Sequence, residues 1–125
     1  LILEGWRRAG VEGLITLHTG AALDTLKVLS VKQEAGEIPP YDLIYIDANK
    51  REYRAYFEAS LPLLRQGGVI LADNTLWDGK VVEDPVPEDA QTQEILKFND
   101  AVAADPRVEC VIIPLRDGLT FIRKK

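Results

Sequence analysis

A chain of 125 residues, 46% of them hydrophobic, has the length of one domain and enough apolar side chains to bury a core. Its formal net charge is −5, and its 15 Lys and Arg residues are scattered, which excludes general binding to a nucleic-acid backbone. No apolar run approaches the roughly 18 residues of a membrane span, and no charged-then-apolar leader opens the chain, so no membrane partner is expected and a cytoplasmic location is the default.

From the N-terminus, Leu1 to Ala9 reads as the tail of a helix stopped by Gly10. Leu14-Ile15-Thr16-Leu17-His18 is a short strand candidate ended by Thr19-Gly20, and Ala21 to Ala35 has mixed helical spacing closed by Gly36. Pro39-Pro40 introduces a strand from Asp42 to Asp47. Apolar residues at Tyr53, Tyr56, Phe57, Leu61 and Leu64 then mark one face of a helix that Pro62 bends or ends. Gln66-Gly67-Gly68 turns into a second strand, Val69 to Asp73, and Asp78 to Asp89 is a polar, Pro/Gly-rich loop. A helix from about Ala90 to Ala104 is stopped by Asp105-Pro106. Val108 to Pro114 and Leu119 to Arg123 form a hairpin around Leu115-Arg116-Asp117-Gly118. The alternation predicts an α/β fold with a mostly parallel sheet and one antiparallel hairpin at its C-terminal end.

Two residue types stand out by their absence or rarity. Cys110 is the single cysteine, cannot form an internal disulfide, and reads as a small core residue in a reducing compartment. There is no methionine, and a chain that opens Leu1-Ile2-Leu3-Glu4 is expected to be part of a longer product.

The chemistry concentrates in two acidic signatures. Asp47-Ala48-Asn49-Lys50 closes the apolar run Leu43-Ile44-Tyr45-Ile46, and Asp73-Asn74 closes Val69-Ile70-Leu71-Ala72. Such runs read as strands buried on both faces, and neighbouring parallel strands would bring Asp47, Asp73 and Asn74 to one sheet edge, where ligands bind in open α/β folds. Three oxygen donors suit a hard divalent cation such as Mg²⁺ or Ca²⁺. Asp and Asn also end strands simply because they favour turns, so either signature alone is weak. Lys50, three residues after Asp47, can reach back over that edge. A nearby cation would favour its neutral amine, as a general base requires. Trp77 is either a hydrophobic plug or an aromatic wall for a flat ligand, and His18, the only histidine, reads as structural.

Five ordered motifs carry a resemblance across nearly the whole chain: Tyr41-Asp42-Leu43-Ile44-Tyr45-Ile46-Asp47-Ala48-Asn49-Lys50, Gly67-Gly68-Val69-Ile70, Asp73-Asn74-Thr75-Leu76-Trp77, Asp105-Pro106-Arg107-Val108-Glu109 and Asp117-Gly118-Leu119-Thr120. Together they resemble the caffeoyl-CoA O-methyltransferase family of cation-dependent enzymes. The resemblance implies a Rossmann-like class I methyltransferase sheet and transfer of a methyl group from S-adenosylmethionine to one hydroxyl of a catechol-type acceptor. By the same resemblance Asp47, Asp73 and Asn74 look like the metal ligands and Lys50 like the general base. Gly20, Ala21 and Asp47 fall where the cofactor binds, Trp77 and Asp117 fall where the acceptor is contacted, and a homodimer is expected.

Departures accompany the match. Asn49 stands where the family has a second aspartate, Arg116 is bulky and charged before Asp117-Gly118, and the loop after Trp77 lacks the tyrosines of plant members, which points to a bacterial-type enzyme. In the family's sheet order, 3-2-1-4-5-7-6, the Leu14–His18 strand would be third, and the first two strands, with their cofactor loop, would precede Leu1. The chain alone is therefore expected to bind cofactor poorly. Two other classes compete: a non-catalytic relative kept for binding or interaction, and, less well matched, a phosphoacceptor receiver domain.

Overall fold

The computed structural model describes all 125 residues, Leu1–Lys125. In chain order the elements are α1 (Ile2–Arg8), α2 (Ala22–Glu34), β1 (Tyr41–Ile46), α3 (Tyr53–Ser60), β2 (Leu64–Asp73), α4 (Ala90–Ala104), β3 (Val108–Ile113) and β4 (Leu119–Lys124). The sheet order is β1-β2-β4-β3. β1 runs parallel to β2, while β4 is antiparallel to both β2 and β3. This is the 4-5-7-6 half of the sheet that the resemblance implies. It confirms the α/β class and the antiparallel hairpin.

One face of the sheet carries the core. Tyr53, Tyr56 and Phe57 of α3 and Ile95, Phe98 and Val102 of α4 pack on Ile46, Ile70, Ala72 and Ile122. Each fully buried side chain of this size stabilises the fold by about 1.5–3 kcal/mol. Phe98 meets Tyr53 edge to face, with ring centroids 5.4 Å apart, which fixes α3 against α4. Asp89 caps α4, its carboxylate accepting the Thr92 N–H at 3.0 Å.

The opposite face is bare, which corrects the expectation of strands buried on both sides. Leu43, Tyr45, Val111 and Ile113 are exposed there because no element of this chain packs over them. The reading of Cys110 is overturned as well: it shares the helix-bearing face with its partner Ile122, but the core on that face reaches β3 only at Val108, which leaves Cys110 exposed.

Two predicted boundaries also change. Leu14–His18 is not a strand: a 3₁₀ turn covers Glu12–Leu14, the backbone extends from Ile15, and Leu14, Ile15 and Leu17 are exposed. The segment has strand-like residues but no ladder partner, and isolated extended backbone gains no hydrogen bonds. The helix expected to run to Leu64 stops at Ser60, followed by a 3₁₀ turn over Leu61–Leu63 with Pro62 inside it. β2 begins at once, so the Gly pair lies within the strand. The pairing shifts between Tyr41↔Leu64 and Leu43↔Val69, a bulge in which Gly67 takes φ +74°. A Cβ at Gly68 would stand 2.9 Å from the Arg65 carbonyl, so the bulge requires glycine there. No helix is long and apolar enough to cross a membrane.

Candidate active site at the C-terminal edge of the parallel strands

Because Ile46 pairs with Ala72 in parallel register, the next residue of each strand leaves the sheet at the same edge. Those residues are Asp47 and Asp73, in neighbouring strands about 4.8 Å apart. Asp73 is half-buried and held from two sides. Its Oδ1 accepts the Asn74 N–H at 2.8 Å, and its Oδ2 accepts the Tyr45 hydroxyl at 2.5 Å. Asn74 has φ +60°, a left-handed conformation that Asn tolerates better than most residues. Beyond it the chain continues beside the β3–β4 turn, with the Thr75 and Leu76 N–H groups donating to the Gly118 and Asp117 carbonyls at 3.2 and 2.9 Å.

Lys50 begins a 3₁₀ turn, Lys50–Glu52, whose first N–H groups are capped by Asn49. The Asn49 side-chain oxygen accepts from Arg51 N at 3.2 Å, and its amide donates to Glu52 Oε2. The turn folds Lys50 inward until only 8% of it is exposed. Its Nζ lies 3.2 Å from Asp47 Oδ1, 2.5 Å from the Tyr53 hydroxyl and 4.6 Å from the centre of the Tyr53 ring. The Tyr53 hydroxyl in turn donates to the Asp73 carbonyl at 2.8 Å. Asp47, Lys50, Tyr53, Asp73 and Tyr45 therefore form one connected polar group.

The electrostatics agree with that grouping. Burial holds the Tyr53 phenol above its ordinary pKa, and the charges of Asp47 and then Asp73 push the same way. The Tyr45 phenol is raised first by its hydrogen bond to Asp73, then by burial and by the charges of Asp73 and Asp47. Both carboxylates thus act on both phenols.

No group of three or more His, Cys, Asp or Glu side chains is placed to hold a metal ion, and the oxygen-bearing residues that the strand ends bring to this edge are Asp47, Asp73 and Asn74. That all-oxygen donor set fits a hard divalent cation. Each Asp73 oxygen accepts one hydrogen bond and retains a lone pair for coordination.

The remaining predicted site residues flank this edge. Gly20 and Asp47 line one cavity together with His18, Ile44 and Ala48, and Ala21 lines the hollow beside it. Asp117 sits in the β3–β4 turn. Its carboxylate accepts the Asp78 N–H, its carbonyl accepts Leu76 N–H at 2.9 Å, and it lines a shallow hollow with Leu76, Gly79, Val82 and Arg116. Trp77 packs against the hydrophobic core with its Nε1 enclosed and unpartnered. Tyr45 and Tyr53 are the site residues that the sequence reading missed. A signal existed for each: Tyr53 lies one helical turn after Lys50, and Tyr45 precedes Asp47 by two, on the same strand face.

Comparison with known proteins bears on the family and the fold. The chain is 38% identical over 122 residues to a Dictyostelium discoideum protein named "Probable caffeoyl-CoA O-methyltransferase 1", covering 98% of this chain and 52% of that one. Among solved structures, the O-methyltransferase from Bacillus cereus in complex with SAH superposes with a TM-score of 0.84 at 33% identity, covering 98% of this chain and 56% of that one. TomG from Streptomyces achromogenes, an O-methyltransferase involved in tomaymycin synthesis and solved with SAM, superposes with a TM-score of 0.86 at 31% identity, covering 98% and 55%. The chain thus spans about half the length of the relatives it matches. The O-methyltransferase family profile aligns with all of residues 1–125, and this chain belongs to that family.

Proposed function

We propose that these residues form the cation- and acceptor-binding half of an S-adenosylmethionine-dependent O-methyltransferase that acts on catechol-type hydroxyls. The observation that carries the reading is the convergence of Asp47, Asp73 and Asn74 at one sheet edge, with the Lys50 amine held beside them. Family membership supports the methyl-transfer chemistry, and the all-oxygen donor set supports a divalent cation.

In this reading Asp47, Asp73 and Asn74 hold the cation, and the Asp117 hollow receives the rest of the acceptor. The chemistry supplied by the bound groups is acidification of a chelated hydroxyl by the cation and an electrophilic methyl from the sulfonium of the cofactor. Lys50 accepts the proton that leaves the acceptor oxygen. Asp47 and Tyr53 fix the amine that receives it. Gly20, Ala21 and Asp47 contribute one wall of the cofactor cavity.

The test is product analysis on the natural, full-length gene product that contains these residues. With S-adenosylmethionine, Mg²⁺ and a panel of catechols, mass spectrometry should find monomethyl ethers. A protein that binds the cofactor but methylates none of the panel would instead be a non-catalytic relative. The unpaired outer edge of β1 is open to a further strand, and that feature favours a binding or interaction role as the second reading.

A further inference from the structure

Asp73 is gripped by two phenols at different atoms. Tyr45 donates to the side-chain Oδ2 at 2.5 Å, and Tyr53 donates to the main-chain carbonyl at 2.8 Å. The two rings come from opposite environments. Tyr45 is 53% exposed on the bare sheet face, whereas Tyr53 is fully buried between the sheet and α4.

Their hydroxyls restrain different things. A carboxylate at the end of a strand can rotate about two side-chain bonds. Here one oxygen is held by the Asn74 N–H and the other by Tyr45, so Tyr45 selects one rotation of the group. Tyr45 makes no other side-chain hydrogen bond, and its ring adds nothing to the buried core.

Tyr53 has a single proton, committed to the Asp73 carbonyl at 2.8 Å; the Ile46 carbonyl is farther, at 3.4 Å. Its oxygen lone pairs are thereby turned to the Lys50 Nζ at 2.5 Å. The neutral amine that a general base requires has two protons and one lone pair. Donation to Asp47 and Tyr53 uses both protons, which leaves the lone pair of the Lys50 nitrogen free to accept.

We propose that the two tyrosines divide the positioning of the site: Tyr45 orients the Asp73 carboxylate for the divalent cation, and Tyr53 holds the Lys50 amine for proton transfer from the acceptor. The assignment rests on the cation-dependent reading above and adds separate roles for two residues within it. Both are positioning residues, Tyr45 acting through the Asp73 carboxylate and Tyr53 through the Lys50 amine.

The division predicts opposite signatures for two variants that each remove one oxygen. On the natural full-length protein, Mn²⁺ affinity is measured by calorimetry, and kcat and KM for catechol are measured at saturating Mg²⁺. Y45F should weaken Mn²⁺ binding by about 10-fold, the lower end of what removing an outer partner of a metal ligand does, with kcat largely restored at saturating cation. Y53F should keep Mn²⁺ affinity within about twofold while kcat falls by about 10-fold or more and KM is unchanged, the pattern of an interaction needed only in the transition state. The proposal is overturned if Y45F binds Mn²⁺ as tightly as wild type, if Y53F retains wild-type kcat, or if both variants lose both properties together with thermal stability. A wild-type protein that binds no Mn²⁺ and methylates no catechol removes the underlying functional reading, and this inference falls with it.

Discussion

Gly118, in the β3–β4 turn, lies against Leu76, in the loop after β2: a Cβ built on Gly118 would stand 2.6 Å from Leu76 Cγ and 2.7 Å from Leu76 N. The Gly118 carbonyl also accepts the Thr75 N–H at 3.2 Å, so the hairpin turn and the loop leaving Asp73 are seated on each other. Gly118→Ala meets both this contact and a φ of +85°. Left-handed strain and overpacking together should destabilise the protein by about 2–5 kcal/mol, read as a shift in the urea midpoint. A variant as stable as wild type would mean that the turn moves freely away from Leu76.

The same seam holds a buried hydroxyl pair, Thr120 Oγ1 donating to Thr75 Oγ1 at 2.8 Å. Thr120→Val leaves the Thr75 hydroxyl buried without that partner and should cost about 1–3 kcal/mol, whereas replacing both with valine should cost less than the two single changes combined. Denaturant unfolding of the three variants decides it, and strict additivity would contradict the pairing.

Tyr56 gives a pH-dependent prediction. Burial pushes its phenol up to about 12, and its hydrogen bond to Glu52 Oε2 at 2.7 Å adds to the effect. An unfolded tyrosine titrates near 10. With the folded value raised, the stability contributed by Tyr56 is fully present below pH 10 and is lost as pH rises from 10 through 12. Unfolding free energy followed across that window should fall more steeply for wild type than for Tyr56→Phe, and parallel curves would rule Tyr56 out as the cause.

Phe98 joins the core to the site, because its ring packs edge to face on Tyr53 and Phe57. Phe98→Ala should destabilise by about 3–5 kcal/mol through the cavity it leaves. It should also lower turnover at temperatures where the variant is still folded, since Tyr53 loses the ring that fixes it beside Lys50. Turnover matching wild type under those conditions would separate the core from the site.

Much of this arrangement is legible in the sequence where local chemistry and tertiary context agree. The apolar run Leu43–Ile46 ended by Asp47, the run ended by Asp73-Asn74, and the turn Leu115–Gly118 each carry their own stop signals, and all appear where expected. Gly67-Gly68 misleads because a glycine pair signals a turn as readily as a bulge, and only the pairing of β1 with β2 distinguishes the two. Leu14–His18 misleads in the opposite way: its residues favour a strand, but a strand exists only through partners. Cys110 is apolar in sequence yet exposed, since hydrophobic neighbours along a strand do not say whether anything packs over it. Local spacing puts Tyr45 near Asp47 and Tyr53 near Lys50, but their contacts to Asp73 span 28 and 20 residues and come only from the pairing of β1 with β2 and the packing of α3 on the sheet.

The most direct test of the central claim is methyl transfer from labelled S-adenosylmethionine to catechol by the natural full-length protein, compared with Asp73→Ala and with a chelator. Monomethyl ether should form, disappear with chelator, return with added Mg²⁺, and fall by about 100-fold or more in Asp73→Ala, as expected when transition-state charge loses its electrostatic support. Turnover that persists in chelator, or that survives Asp73→Ala unchanged, would contradict a cation-dependent site at the ends of β1 and β2.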